Sequence, residues 1–209
     1  MELNYDPVKA VRHLKRVDPN LKNLINAAGP FTVEPKNFNS PFLLLLRTIV
    51  YQQLSGKAAA TIFGRVEDLF PSRRQITPGR LFAIPDEELR AAGMSWAKVA
   101  AAKDLAAKCL ARQVPSKNRL TKMSNEEVLD TLVQIRGIGP WTVEMLLMFH
   151  LGRPDVLPVS DLGVRKGYQL TYELDELPKP KELYELCDHW RPYRSVGSWY
   201  MWRAVDLLG

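Results

Sequence analysis

The sequence predicts an all-α protein, and three observations carry that prediction. Helix starts recur from end to end, each with a capping side chain ahead of it. Strict period-two alternation persists nowhere, so no strand pattern competes. Apolar residues instead return at helical spacing between short polar connections.

Taken in order, Asp6-Pro7, Asp18-Pro19 and Ser40-Pro41 each join an N-cap to a proline at the first helical position, where a missing N–H costs nothing. Phe42 to Val50 is apolar but short, and Arg47 interrupts it, which suits a core helix and not a membrane span. The run Ile49-Val50-Tyr51-Gln52-Gln53-Leu54-Ser55-Gly56-Lys57 ends one helix and begins another. Ser95 opens a pattern to Arg112 in which Val99, Ala102, Leu105, Ala106, Cys109 and Leu110 share one face. Lys98, Lys103, Lys108 and Arg112 in that pattern read as a solvated face. Ser124 and Glu127 form a capping box before the helix that leads to Gln134-Ile135-Arg136-Gly137-Ile138-Gly139-Pro140-Trp141. Trp141, Met145, Met148 and Phe149 then keep helical spacing, and Asp161 in Val159-Ser160-Asp161 precedes a further helix. The last helical pattern concentrates Tyr193, Trp199, Tyr200 and Trp202. About ten to twelve helices are expected, joined by loops such as Gly29 to Asn39 and Arg153 to Ser160.

Composition narrows the function. At 209 residues, 46% hydrophobic and 25% charged, the chain can bury a real core and is not of disordered type. Its 29 Lys and Arg against 23 acids give a formal charge of +6, the sign expected of a nucleic-acid partner. Cys109 and Cys187 cannot make a disulfide framework or supply the four thiolates of an iron–sulfur cluster. His13, His150 and His189 lack metal-ligand spacing and read as structural. With no signal peptide or membrane span in view, the expected location is the cytoplasm, or the nucleus if the source has one.

Gly137-Ile138-Gly139 between two helices makes a tight hairpin whose amides can face outward, and the helix beginning at Pro140 turns its positive end toward an anion. This reads as a grip on a phosphate backbone, with Asp161 downstream as a lone carboxylate for chemistry. A plain helix–helix turn and a plain N-cap are the competing readings. The aromatic residues of the last helix either dock it to the core or form a stacking pocket for an electron-poor base, each π face contributing roughly 0.5 to 2 kcal/mol. Gln52 and Gln53 are either surface residues or side chains that enter a duplex when a base is turned out.

Arranged in this order, these segments resemble the helix-hairpin-helix (HhH-GPD) DNA glycosylase superfamily, and most of all its 3-methyladenine DNA glycosylase II branch, the alkylpurine glycosylases of bacteria and yeast. The resemblance runs from about Asn39 to Leu208. It implies two helical lobes, 42–158 carrying the helix-hairpin-helix of about 124–151, and 1–41 with 159–209, with the active-site cleft between them and no N-terminal β domain. It implies Asp161 as the catalytic carboxylate, and Trp141, Met145, Trp202 and Tyr51 as the base pocket. Gln53, Leu54, Ser55, Arg136, Gly137, Ile138, Gly139 and Thr142 would contact DNA, with Gln53 the first candidate for the plug. Main-chain carbonyls of Val133, Ile135 and Ile138 would hold a structural Na+ or K+, and no catalytic cofactor is implied. Relatives with lyase activity carry a lysine where this chain has Trp141, so no Schiff base to the sugar is expected.

The expected partner is double-stranded DNA containing alkylated bases, bound by a monomer. The expected reaction is hydrolysis of the N-glycosidic bond of 3-methyladenine, 7-methylguanine and similar lesions, base excision without strand cleavage. An alkylated purine is already cationic and departs neutral, so Asp161 would stabilise the oxocarbenium-like sugar and orient water. A non-catalytic DNA-binding module remains the alternative, as does a glycosylase for uracil, hypoxanthine or ethenoadenine.

Overall fold

The computed structural model describes residues 3–209, and among them it contains thirteen α-helices, two 3-10 turns and no strand. The all-α expectation holds, with slightly more helices than anticipated. No helix among the described residues is long and apolar enough to cross a membrane.

The chain opens with α1 (Pro7–Val17) and α2 (Pro19–Ala28). Asp6 accepts from the amides of Val8 and Lys9, and Asp18 from that of Leu21, so the capping side chains satisfy amides that the helices themselves leave unpaired. There follow α3 (Pro41–Tyr51), capped by Ser40, and α4 (Gly56–Asp68), capped by Ser55. Next come α5 (Pro78–Ala83), α6 (Asp86–Ala91), α7 (Trp96–Leu110) capped by Ser95, and α8 (Lys117–Leu120). The capping box of Ser124 and Glu127 opens α9 (Asn125–Leu132), and α10 covers Pro140–Phe149. The chain closes with α11 (Leu162–Thr171), α12 (Pro180–Leu186) and α13 (Arg194–Leu208).

Contacts group the chain into two compact units. Phe38–Val143 is the central one, and the residues up to Asn37 join Glu144–Gly209 in the other. In the central unit α7 packs against α3 and α5, burying Leu45, Ile49, Leu81, Val99, Ala102 and Leu105 to 1% exposure or less. In the terminal unit the closest pairing is α11 with α13. Gly167 permits it, because a Cβ there would lie 1.9 Å from the Met201 carbonyl oxygen. Trp190 and Tyr200 fill the centre of this core with no exposure at all.

A buried carboxylate ties the terminal unit together. Asp18, only 3% exposed, accepts from His189 Nε2 at 2.7 Å, Trp190 Nε1 at 2.8 Å and the Tyr172 hydroxyl, besides its own Leu21 amide. Burial alone would raise its pKa, but these donors outweigh burial and hold it below the usual carboxylate value.

The second boundary between units falls inside α10, whereas the family resemblance implies one near Pro158. Long-range bonds move it. Ser195 Oγ donates to the Arg153 carbonyl at 2.7 Å and accepts from the Val156 amide at 2.9 Å, and Arg194 Nε reaches Asp155 at 2.5 Å. Lys36 adds a backbone bond to the Phe149 carbonyl at 2.8 Å. Residues 144–158 therefore belong with the termini.

Candidate active site

In the central unit, the hairpin between α9 and α10 is held by its neighbours. Ile135 and Ile138 anchor it with side chains only 2% and 3% exposed, and the Ile138 amide donates to the Ile135 carbonyl at 3.0 Å. Gly137 adopts φ 79°, and a Cβ there would also meet Ala101 of α7 at 3.1 Å, so a side chain is doubly disfavoured. At Gly139 a Cβ would meet no protein atom within 4 Å, so the second glycine leaves open space beside the chain. The amides of Gly137 and Gly139 enter no hydrogen bond among the described residues, and they stand just ahead of the helix that starts at Pro140. The Arg136 side chain is exposed, while its amide donates to Asp104 Oδ2 at 2.8 Å. Two unpaired amides, an exposed guanidinium and the positive end of a helix together suit a phosphate. Ile138 and Thr142 are buried, so they could contact a ligand only through the main chain.

The Gln turn belongs to the same construction. Gln52 donates from Nε2 to the Gly137 carbonyl at 2.8 Å, linking the turn to the hairpin. Gln53 and Leu54 are exposed, and Gln53 sits at φ 55°, a left-handed conformation uncommon for a side chain other than Asn or Asp. Lys98 holds this turn in place: Nζ donates to the carbonyls of Val50 and Gln52, both at 2.8 Å, and burial lowers its pKa. Lys103 likewise donates to the carbonyls of Phe82 and Ile84. The two lysines are thus bound to helix ends and do not form the solvated face that their spacing implied. Ser55 caps α4. Tyr51 accepts from Arg47 at 2.9 Å beneath its guanidinium and meets Phe63 edge-on, a setting that supports α3.

In the terminal unit, Asp161 is the N-cap of α11. Its Oδ1 accepts from the Val164 amide at 2.8 Å and from Trp202 Nε1 at 2.9 Å. Trp202 also lies near Phe149, with ring centroids 5.8 Å apart. Gly163 makes room for the indole: a Cβ there would stand 2.8 Å from Trp202 Cδ1 and 3.1 Å from Asp161 Oδ1. The aromatic residues of α13 therefore divide. Trp199 packs on Phe31 at 5.1 Å, Tyr200 donates to the Gly29 carbonyl, and Trp202 turns to the carboxylate.

Met145 is half-buried on α10, and Trp141 is 46% exposed at the other end of that helix. Sequence reasoning missed Glu144 between them. It is the one charged residue of a helix that is apolar but for Thr142, which is the signal that could have found it. Burial and then the negative charge of Asp161 push its pKa up to about 7.

Known proteins bear on this arrangement. A sequence model of the HhH-GPD superfamily of base excision DNA repair proteins matches residues 46–192. The chain is 35% identical over 203 residues to DNA-3-methyladenine glycosylase 1 of Schizosaccharomyces pombe, covering 95% of this chain and 88% of that protein. It is similar to the structure of the 3-methyladenine DNA glycosylase of that yeast in complex with abasic DNA, with TM-score 0.80, 35% identity, and coverage of 93% of this chain and 95% of the other. The DNA-3-methyladenine glycosidase of Bacillus halodurans is similar too, with TM-score 0.82, 34% identity, and coverage of 98% and 91%.

Proposed function

The chain belongs to the HhH-GPD superfamily of base excision DNA repair proteins, and from that premise we propose the reaction its site performs. It is a DNA glycosylase of alkylation repair, of 3-methyladenine type, that hydrolyses the N-glycosidic bond of alkylated purines in duplex DNA.

The observation that carries the mechanism is the pair of N–H donors fixed on Asp161 Oδ1. They hold the carboxylate in one orientation, so its negative charge is in place before the sugar becomes cationic and needs no rearrangement when it does. The alkylated base leaves as a neutral molecule, and Asp161 directs water to the anomeric carbon and takes its proton. The hairpin amides grip a phosphate. Gln53, already held in its left-handed conformation, enters the stack and offsets the few kcal/mol that base extrusion costs.

Trp141 stands where a lyase would need an amine, so the enzyme is read as monofunctional and leaves the strand intact. The carbonyls of Val133, Ile135 and Ile138 lie in one turn. That of Ile135 accepts a single bond from Ile138 and keeps a lone pair, and a neutral carbonyl set suits Na+ or K+. Such an ion would brace the hairpin and take no part in chemistry. The protein is read as acting as a monomer on double-stranded DNA.

Methylated duplex DNA is the test substrate, with released bases separated and identified. Asp161→Asn is expected to slow release by about a thousandfold while binding to abasic duplex survives. Retained turnover would remove Asp161 from the mechanism, and covalent trapping by borohydride would refute the monofunctional reading.

A further inference from the structure

Glu144 has no role in the reaction described so far, yet its setting is that of a working group. It lies on α10 in the same unit as Asp161, and its Oε2 is fully enclosed without a hydrogen-bond partner. A buried carboxylate oxygen with no donor is costly, and a proton on the carboxyl is the simplest relief. The charged group that acts on it is Asp161 at the head of α11, while the neighbour that Asp161 draws from α13 is the uncharged Trp202. Both environmental effects favour the neutral acid. Asp161 Oδ1, by contrast, accepts from two N–H donors, the Val164 amide and Trp202 Nε1. A site that sets an enclosed, neutral carboxyl in the field of a catalytic carboxylate has the parts of an acid and a base.

We propose that Glu144 is the general acid of this site, the residue that protonates the leaving base when the lesion carries no charge of its own. The inference rests on the glycosylase reading above. An alkylated purine takes the electron pair of its breaking C1′–N9 bond and departs neutral, so it needs no proton. An uncharged damaged purine would depart as an anion. There the C1′–N9 electron pair moves onto the base, the Glu144 proton passes to a ring nitrogen, and Glu144 becomes a carboxylate. Water adds to C1′ and gives one proton to Asp161, and exchange with solvent returns both groups to their starting states. The sum is base–sugar plus water giving free base and sugar hydroxyl.

The pH dependence follows from the sign of the shift. The acid form of Glu144 is present below about pH 7 and lost above it. Single-turnover release is measured from two duplexes, one with 7-methylguanine and one with hypoxanthine, between about pH 5.5 and 8.5. For the native protein, release of hypoxanthine should fall as pH rises through 7, and release of 7-methylguanine should show no such fall. Glu144→Gln should lower the ratio of hypoxanthine to 7-methylguanine release by about a hundredfold and abolish the descending limb. An unchanged ratio in that variant, a native profile without the difference between substrates, or native release of 7-methylguanine alone would overturn the proposal. Release of neither base by the native protein would instead refute the glycosylase reading.

Discussion

Replacing Trp202 by Phe keeps a ring beside Phe149 and removes one N–H. Asp161 Oδ1 accepts at 2.8 Å from the Val164 amide and at 2.9 Å from Trp202 Nε1, and the variant removes the second of these bonds. A hydrogen bond to a charged group contributes about 1.5 to 3 kcal/mol, and the lower figure suits a carboxylate that is only half-buried. Lost from the transition state, about 1.4 kcal/mol corresponds to a tenfold slower step. The assay is single-turnover release of 7-methylguanine, with affinities for lesion and abasic duplexes measured separately. The rate should fall about tenfold and both affinities should hold. Gly163→Ala should reproduce the defect, because its Cβ would press on the indole that makes this bond. The two substitutions remove the same interaction, so the double variant should be no slower than the slower single one. An unaltered rate for Trp202→Phe, or strictly additive losses, would refute the view that Trp202 holds Asp161. A loss confined to affinity for lesion DNA would return Trp202 to base stacking.

Two further perturbations probe the scaffold. Lys98→Met keeps the apolar stem but strips two carbonyls of their donor; about 1 to 3 kcal/mol of stability should go in urea unfolding, and affinity for abasic duplex should fall with it. If neither changes, the lysine is a surface residue after all. Asp18→Asn should cost about 3 to 5 kcal/mol, because it leaves the donors of Trp190, Tyr172 and His189 facing a neutral group. The native Asp18 pKa is lowered, so its contribution is complete above the unfolded value of about 3.9 and is lost as pH falls through the folded one. The acid limb of the stability profile should therefore be shallower in the variant, and an identical limb would count against this assignment.

What the sequence revealed was whatever short-range chemistry determines. Asp6, Asp18, Ser40, Ser95 and Ser124 all cap the helices assigned to them, because a cap needs only a side chain and an amide two or three residues on. Lys117–Leu120 escaped notice because one turn has no periodicity to read. The boundary near Pro158 shifted because Ser195 and Arg194 bond to residues some forty positions earlier. Lys98 looked solvated because its carbonyl partners lie 46 and 48 positions away. At the site, Asp161, Trp202 and the hairpin glycines were legible as residue types in a familiar order. That Trp202 bonds the carboxylate, that Tyr51 pairs with Arg47, and that Glu144 is enclosed depend on rotamers and packing that no pattern encodes.

Lys98, Ala101 and Asp104 are spaced three apart on α7, so they line one stripe of that helix. The first holds the Gln turn, the second abuts Gly137, and the third binds the Arg136 amide. One helix is therefore the ruler that sets the interval between the turn and the hairpin, about 9 Å of rise from the first residue to the last. A ruler tolerates recolouring but not recutting. Inserting or deleting one residue between Lys98 and Asp104 would swing one end by about 100° and put it out of register with the other. Changes in length should be absorbed beyond the stripe, toward the loop that follows Leu110, where nothing is being measured.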